Sequence, residues 1–211
     1  MFRDRDDAAR QLAQALAAYR GRNPLVLAIP RGAVPMGKVL ADDLGGELDV
    51  VLVRKLGAPY QPELALGAID ETGLVHWTPG LGPAAATSSW LESAKREQLE
   101  LMRERRQRYG RGREPIDPAG RIVIVVDDGL ATGSTMVAAL HAVRARKPAR
   151  LVCAVPVAAA DSLERVRPLA DEVVCLSVPD WFGAVSQFYL RFDQVEDAEV
   201  ERMLAARPQP D

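Results

Sequence analysis

The sequence predicts an α/β protein: a largely parallel sheet of roughly five strands flanked by helices, with a flexible insertion and a small C-terminal hood. Three observations predict it. Apolar, β-branched runs alternate with helical stretches, as successive strand–helix–strand units require. The run Val123–Val126 is continuously apolar, the pattern of a strand covered on both faces. Hydrophobic residues make up 48% of 211 positions, enough for a core on both sides of a sheet.

Each element follows from its local pattern. Asp6 to Tyr19 places Leu12, Ala15, Leu16 and Tyr19 on one helical face, and Gly21 and Pro24 stop it. Residues 25–29 (LVLAI) form a short strand, Pro35 to Leu44 a helix closed by Gly45 and Gly46, and residues 49–53 (DVVLV) the next strand. A less regular region follows. LGAID and LVHW, joined through Glu71-Thr72-Gly73, suit a hairpin, and residues 78–85 suit a loop. Ser89 to Arg108 is a long charged helix in which Ser89 and Glu92 match a capping box. After a second loop at 110–120, strands at Ile122–Val126, Leu151–Val155 and Val173–Val178 alternate with helices at Ser134–Arg146 and Asp161–Leu169. An aromatic tail from Pro179 ends in a helix near Glu196–Ala206. The expected organisation is one domain, 1–211: a core at about 24–57 and 120–178, an insertion or lid at 58–118, and a hood or tail at 179–211.

The densest chemistry lies in VIVVDDGLATGSTM, residues 123–136. A buried strand runs into Asp127 and Asp128. Gly129 and Gly133 allow a tight turn and a close backbone approach. Thr132, Ser134 and Thr135 then set hydroxyls beside free amides at a helix N-terminus, a combination that binds phosphate. Carboxylates repel phosphate, but an ionised Asp accepts hydrogen bonds from a sugar diol and can orient a hydrated Mg²⁺ ion. A phosphorylated ribose satisfies both halves. The stretch is not a Walker A loop, which needs a Lys where Ser134 stands.

This stretch resembles the 5-phosphoribosyl-1-pyrophosphate (PRPP) signature of type I phosphoribosyltransferases. The resemblance implies their fold and their reaction: transfer of a phosphoribosyl group to a nitrogen base with release of pyrophosphate. It places Gly129, Ala131, Thr132, Gly133, Ser134 and Thr135 on PRPP with Asp127 and Asp128, and implies Mg²⁺ carried by PRPP rather than held directly by the protein. Residues 30–32 (PRG) end the first strand and resemble the pyrophosphate loop of the family, in which a strained or cis peptide is common. Arg31 is the anion donor there, and Gly32 lets the backbone come close. Arg54 and Lys55, in VRKLGAP, stand where a flexible catalytic loop begins in the family. With Arg31 they are the expected catalytic cations.

Hypoxanthine-type enzymes carry an Asp three residues after the acid pair, near the base; Ala131 occupies that position, as in the adenine and uracil branches. Base specificity is expected in residues 177–192, where Trp181 and Phe182 are the base-stacking candidates and Tyr189 offers another ring face. Packing of the tail on the sheet is the plainer reading of each of these rings. An alternative function is a non-catalytic PRPP sensor that contacts RNA. Its support is Ala131, the unfamiliar hood and the cations Lys95, Arg96, Arg103, Arg105, Arg106, Arg108, Arg111 and Arg113. A solvated lid or dimer-contact helix held by i,i+4 pairs is the plainer reading of those charges. PRPP synthesis is disfavoured, because no second nucleotide-phosphate loop is present.

Composition narrows the classes further. A net charge of −2 gives no basic excess for nucleic acid. No apolar run approaches the ~20 residues of a membrane span. The charged start, MFRDRDDAAR, lacks the apolar segment of a signal peptide, so the cytoplasm is the expected location. Cys153 and Cys175 read as small buried hydrophobes, and His76 and His141 lack the spacing of a metal site. A homodimer is expected from the resemblance alone.

Overall fold

The computed structural model describes residues 1–59, 61–78, 80, 88–110 and 114–205, with backbone alone at 61–65 and 88. Helix α1 (Arg5–Ala15) leads through a 3₁₀ turn (Ala17–Tyr19) into β1 (Leu25–Ala28), α2 (Val34–Leu44) and β2 (Glu47–Val50). An antiparallel unit follows: β3 (Val53–Ala58), β4 (Gln61–Asp70) and β5 (Val75–Trp77), then the long α3 (Ser88–Gly110). The chain returns through β6 (Ile122–Val126), α4 (Ser134–Ala145), β7 (Arg150–Val157), α5 (Ala160–Val166) and β8 (Glu172–Ser177), and ends in α6 (Asp197–Ala205).

The main sheet is parallel throughout, in the order β2-β1-β6-β7-β8. Side chains alternate across each strand, so consecutive residues enter opposite cores. Val26, Ala28, Ile124, Val126, Val152 and Ala154 pack with Leu12, Leu16, Met36 and Leu40 of the first two helices. Leu25, Leu27, Val123, Val125, Leu151 and Cys153 pack with Met136, Leu140 and Leu163 of α4 and α5. Each fully buried Leu or Val contributes about 1.5–3 kcal/mol over its exposed state, which is why uninterrupted apolar strands suit a two-faced sheet.

The run 49–53 is not one strand. Its pairing to β1 ends at Val50, and Val53 opens the antiparallel sheet β3-β4-β5. Nothing in an unbroken apolar run marks the point where a chain changes sheets, because Val51 and Leu52 are buried in either arrangement. The LGAID–LVHW hairpin is present, with Ile69 paired to Val75. Asp70 organises its turn by accepting from the Thr72 amide, the Thr72 hydroxyl and the Leu74 amide.

Helix α3 starts at Ser88, which places Ser89 within its first turn rather than at the position before it. Pairs along α3 are present, Lys95 with Glu92 and Arg103 with Glu100, each at 3.8 Å, but part of the helix is also anchored to the rest of the fold. Met102 and Tyr109 are each 1% exposed, whereas Leu101 faces outward. Arg106 reaches both Glu71 oxygens at 2.8 and 2.6 Å, Asp49 Oδ1 at 2.9 Å and the Val50 carbonyl at 2.8 Å. Arg108 pairs with Asp197 and Glu201 of α6. Tertiary partners thus absorb these charges of the helix. The loop expected at 78–85 lies largely outside the described residues, as do Arg111, Arg113 and Ala206.

Leu12 of α1 and Leu16 and Tyr19 just beyond it are buried as expected, but Ala15 is exposed because it lies off the helical stripe of Ala8, Ala9, Leu12 and Ala13 that faces the core. His76 and His141 are not loose surface groups. Their rings stack 5.3 Å apart, and His76 Nε2 lies 3.1 Å from Asp70 Oδ2. Both cysteines are free thiols, and burial raises the pKa of each.

Candidate active site

In a parallel sheet, ligands bind beyond the strand C-termini where the strand order reverses. Here that point lies between β1 and β6, which are hydrogen-bonded neighbours although four described strands and two helices separate them in sequence. Their register matches Ala28 to Val126, and the Ile29 amide donates to the Val126 carbonyl at 3.0 Å. The loops Pro30–Gly32 and Asp127–Gly133 therefore leave the sheet side by side. The Pro30–Arg31 peptide is cis.

The two loops touch. A β-carbon built on Gly32 would stand 2.3 Å from Asp128 Oδ2, so only glycine fits over that carboxylate. Arg5, the first residue of α1, donates from Nε and Nη2 to the same oxygen at 3.0 and 2.9 Å. Asp127 Oδ1 accepts from the Asp128 amide at 2.9 Å. Burial and the neighbouring Asp128 charge push the Asp127 carboxyl well above its ordinary pKa. Burial also raises Asp128, while Arg5 opposes that shift.

Beyond the acids the backbone is pinned on all sides. A side chain at Gly129 would collide with Val185, which covers the turn from the tail. The Leu130 amide and carbonyl bond to Val157 and Ala159, and the Ala131 carbonyl accepts from Ser162 Oγ at 2.6 Å. Gly133 adopts φ 70°, a left-handed geometry that favours glycine, and opens α4. The N-cap residue Gly133 has no side chain to cap this end, and the Ser134 amide makes a long 3.5 Å bond to Thr132 Oγ1, beside the exposed Thr135. Such an end attracts anions.

The expected cations are distributed differently. Arg31 stands at the β1 edge, 3.7 Å from Asp197 Oδ2 and 3.9 Å from Glu196 Oε2. Arg54 and Lys55 belong to strand β3 rather than to a loop, because β3 pairs with β4 through both residues. Arg54 Nε donates to Gln98 Oε1 at 2.9 Å, and burial beside Arg105 lowers its pKa. Both residues line a cleft of about 730 Å³ that runs from Pro30 and Thr135 to Trp90, Gln98 and Arg105 of α3. The structure thus brings Arg54, Lys55 and Thr135 to one cavity, with Gly32, Asp127 and Asp128 at the neighbouring strand ends. No group of three or more His, Cys, Asp or Glu able to hold a metal occurs among the described residues.

A family model described as "Phosphoribosyl transferase domain" matches residues 3–193. The chain belongs to the phosphoribosyltransferase family. Proteins of Mycobacterium tuberculosis, strains CDC 1551 / Oshkosh and ATCC 25618 / H37Rv, each carry the name "Putative phosphoribosyl transferase". Each is 44% identical over 205 residues, covering 97% of this chain and 46% of the relative. The chain spans about half the length of these curated relatives. Among solved structures, TT1426 from Thermus thermophilus is 48% identical with a TM-score of 0.86, over 96% of this chain and 97% of that one. The parallel sheet with helices on both faces is the type I phosphoribosyltransferase arrangement.

The segment that follows Pro179 packs against the first residues of α1 and those just before it. Phe2 bridges to Tyr189, the Leu190 amide donates to the Phe2 carbonyl, and Arg191 pairs with Asp4 at 2.6 Å. Tyr189 donates from its hydroxyl to the Asp128 carbonyl at 2.7 Å. Phe182 packs on the core with its ring 5.1 Å from Phe188, whereas Trp181 is 73% exposed. The two stacking candidates therefore have different environments. Sequence reading missed Arg5 entirely, since 123 residues separate it from Asp128. The only local hint was a charged start where a terminus is ordinarily frayed.

Proposed function

We propose that the protein transfers the 5-phosphoribosyl group of PRPP to a nitrogen base or related acceptor and releases pyrophosphate. The observation that carries the reading is the meeting of acid pair, α4 N-terminus and Arg31–Gly32 loop at the β1–β6 edge. In this reading Asp127 and Asp128 accept from the ribose hydroxyls. The amides and hydroxyls of Thr132 to Thr135 hold the 5-phosphate, and Arg31, Arg54 and Lys55 face the departing pyrophosphate. The acceptor nitrogen forms its bond to C1 as the C1–oxygen bond to pyrophosphate breaks, and the electron pair leaves with pyrophosphate. Ala131 offers no carboxylate to take the acceptor's proton, which passes to the released pyrophosphate or to water, so positioning and electrostatics carry the step.

The donor set fits a Mg²⁺ ion that arrives with PRPP. Mg²⁺ keeps several waters and takes one or two carboxylates with substrate phosphates, which suits an acid pair without further ligands. When bound it would neutralise charge on the pyrophosphate. A homodimer and a cytoplasmic location complete the reading by resemblance; no described helix is long and apolar enough to cross a membrane. The RNA-contacting sensor loses part of its support, since Arg106 and Arg108 are spent on internal acids.

The test is pyrophosphate release from Mg²⁺–PRPP against purines, pyrimidines and small nitrogen acceptors. Release that depends on one acceptor establishes the transferase and names its substrate. PRPP binding without release from any acceptor would favour the sensor. Thr132→Val should weaken PRPP binding while the fold remains intact by circular dichroism.

A further inference from the structure

One guanidinium joins the three parts of the site. Arg5 places two nitrogens on Asp128 Oδ2, donates from Nη1 to the Asp193 carbonyl at 2.6 Å, and lies 3.8 Å over the Phe192 ring. Its Nη2 would stand only 3.2 Å from a β-carbon on Gly32. The Arg5 and Asp128 side chains are 12% and 16% exposed, so this is an enclosed ion pair rather than a surface one. Its backbone is tethered as well. Asp4 caps α1 through the Asp7 amide and pairs with Arg191, which fixes the arginine to the tail.

We propose that Arg5 is a positioning residue for PRPP recognition, acting through Asp128. The inference rests on the reading that this site binds PRPP. Two donors converge on Oδ2, so that oxygen's accepting capacity is used by the protein. Oδ1 is left to accept from the ribose diol, with Oδ2 fixed in place by the two donors. The cation also offsets one of two adjacent negative charges that would otherwise repel each other and the substrate phosphates. Because the same guanidinium holds the Asp193 carbonyl, the tail and the sugar-binding acid are set by one side chain. A lysine cannot reproduce this pattern, since its donors radiate from a single nitrogen.

A purely structural tie between α1 and the sheet would predict lower stability without any special link to Asp128. A double-mutant cycle on Mg²⁺–PRPP affinity separates the two. The four proteins are wild type, Arg5→Gln, Asp128→Asn and the double variant, measured by calorimetry with circular dichroism as the folding check. Arg5→Gln is expected to weaken binding on the order of tenfold in the wild-type background and by under about twofold in the Asp128→Asn background. Arg5→Lys, the milder change should Arg5→Gln not fold, is expected to fall between wild type and Arg5→Gln. Equal losses in both backgrounds, or unchanged affinity in a folded Arg5 variant, overturn the inference while leaving PRPP binding intact. Absence of PRPP binding by the wild type would instead sink the underlying reading and this inference with it.

Discussion

Gly32 lies so close to Asp128 that a β-carbon at position 32 would come within 2.3 Å of its Oδ2. The first strand's loop and the acid pair are therefore one packed unit, although 96 positions separate them (128 − 32). Gly32→Ala must displace the carboxylate or the loop. The expected result is Mg²⁺–PRPP binding weakened about tenfold or more by calorimetry, with native circular dichroism. Unchanged affinity would show that the loop moves at no cost to the site.

Asp127 should trade stability for function. Its pKa in the fold lies well above the ordinary carboxylate value, because burial and Asp128 disfavour its charge. The native state therefore loses stability as pH rises from the unfolded value, about 4, through the folded one. Asn keeps an acceptor for the Asp128 amide without that charge. Asp127→Asn is expected to raise the melting temperature at pH 8, to lose that gain towards pH 4, and to weaken PRPP binding. A lower melting temperature at pH 8 would contradict it.

Arg106 anchors the insertion. It is 14% exposed and bonds Asp49, Glu71 and the Val50 carbonyl. Arg106→Ala would leave Asp49, itself 6% exposed, buried without its cation. The expected loss is about 3–5 kcal/mol in urea unfolding, and faster proteolysis within α3. A loss under about 1 kcal/mol would mean the pair barely offsets its desolvation.

Trp181 offers a cleaner functional probe, because it is 73% exposed. Trp181→Ala should change stability by no more than about 0.5 kcal/mol. If its ring meets the acceptor, KM for the acceptor rises while PRPP affinity stays constant. An unchanged KM would leave Phe182 as the remaining stacking candidate.

The strand–turn–helix that carries the proposed phosphate loop was legible because it is local. Strand, acids, turn, hydroxyls and helix start follow one another within residues 123–136, and strand–helix junctions of that kind are set by neighbours along the chain. The parallel sheet was legible for a related reason: a strand buried on both faces needs an unbroken apolar run, and β6 and β7 have one. The break between β2 and β3 was not, since Val51 and Leu52 are apolar whichever sheet they serve. Helix α3 misled in the opposite sense. Its surplus charge reads as solvent-facing until Asp49, Glu71 and Asp197 arrive from elsewhere to meet it.

The sequence by itself determined the α/β class, the order of most elements and the strand–turn–helix at residues 123–136, because periodicity and turn chemistry act over a few residues. Only the tertiary structure decided that Arg5 meets Asp128, that Gly32 roofs it, and that Arg54 and Lys55 sit on a strand facing α3. Those relationships depend on which strands become neighbours. That choice is made by burying two apolar faces at once, a property of the whole chain that no short segment contains.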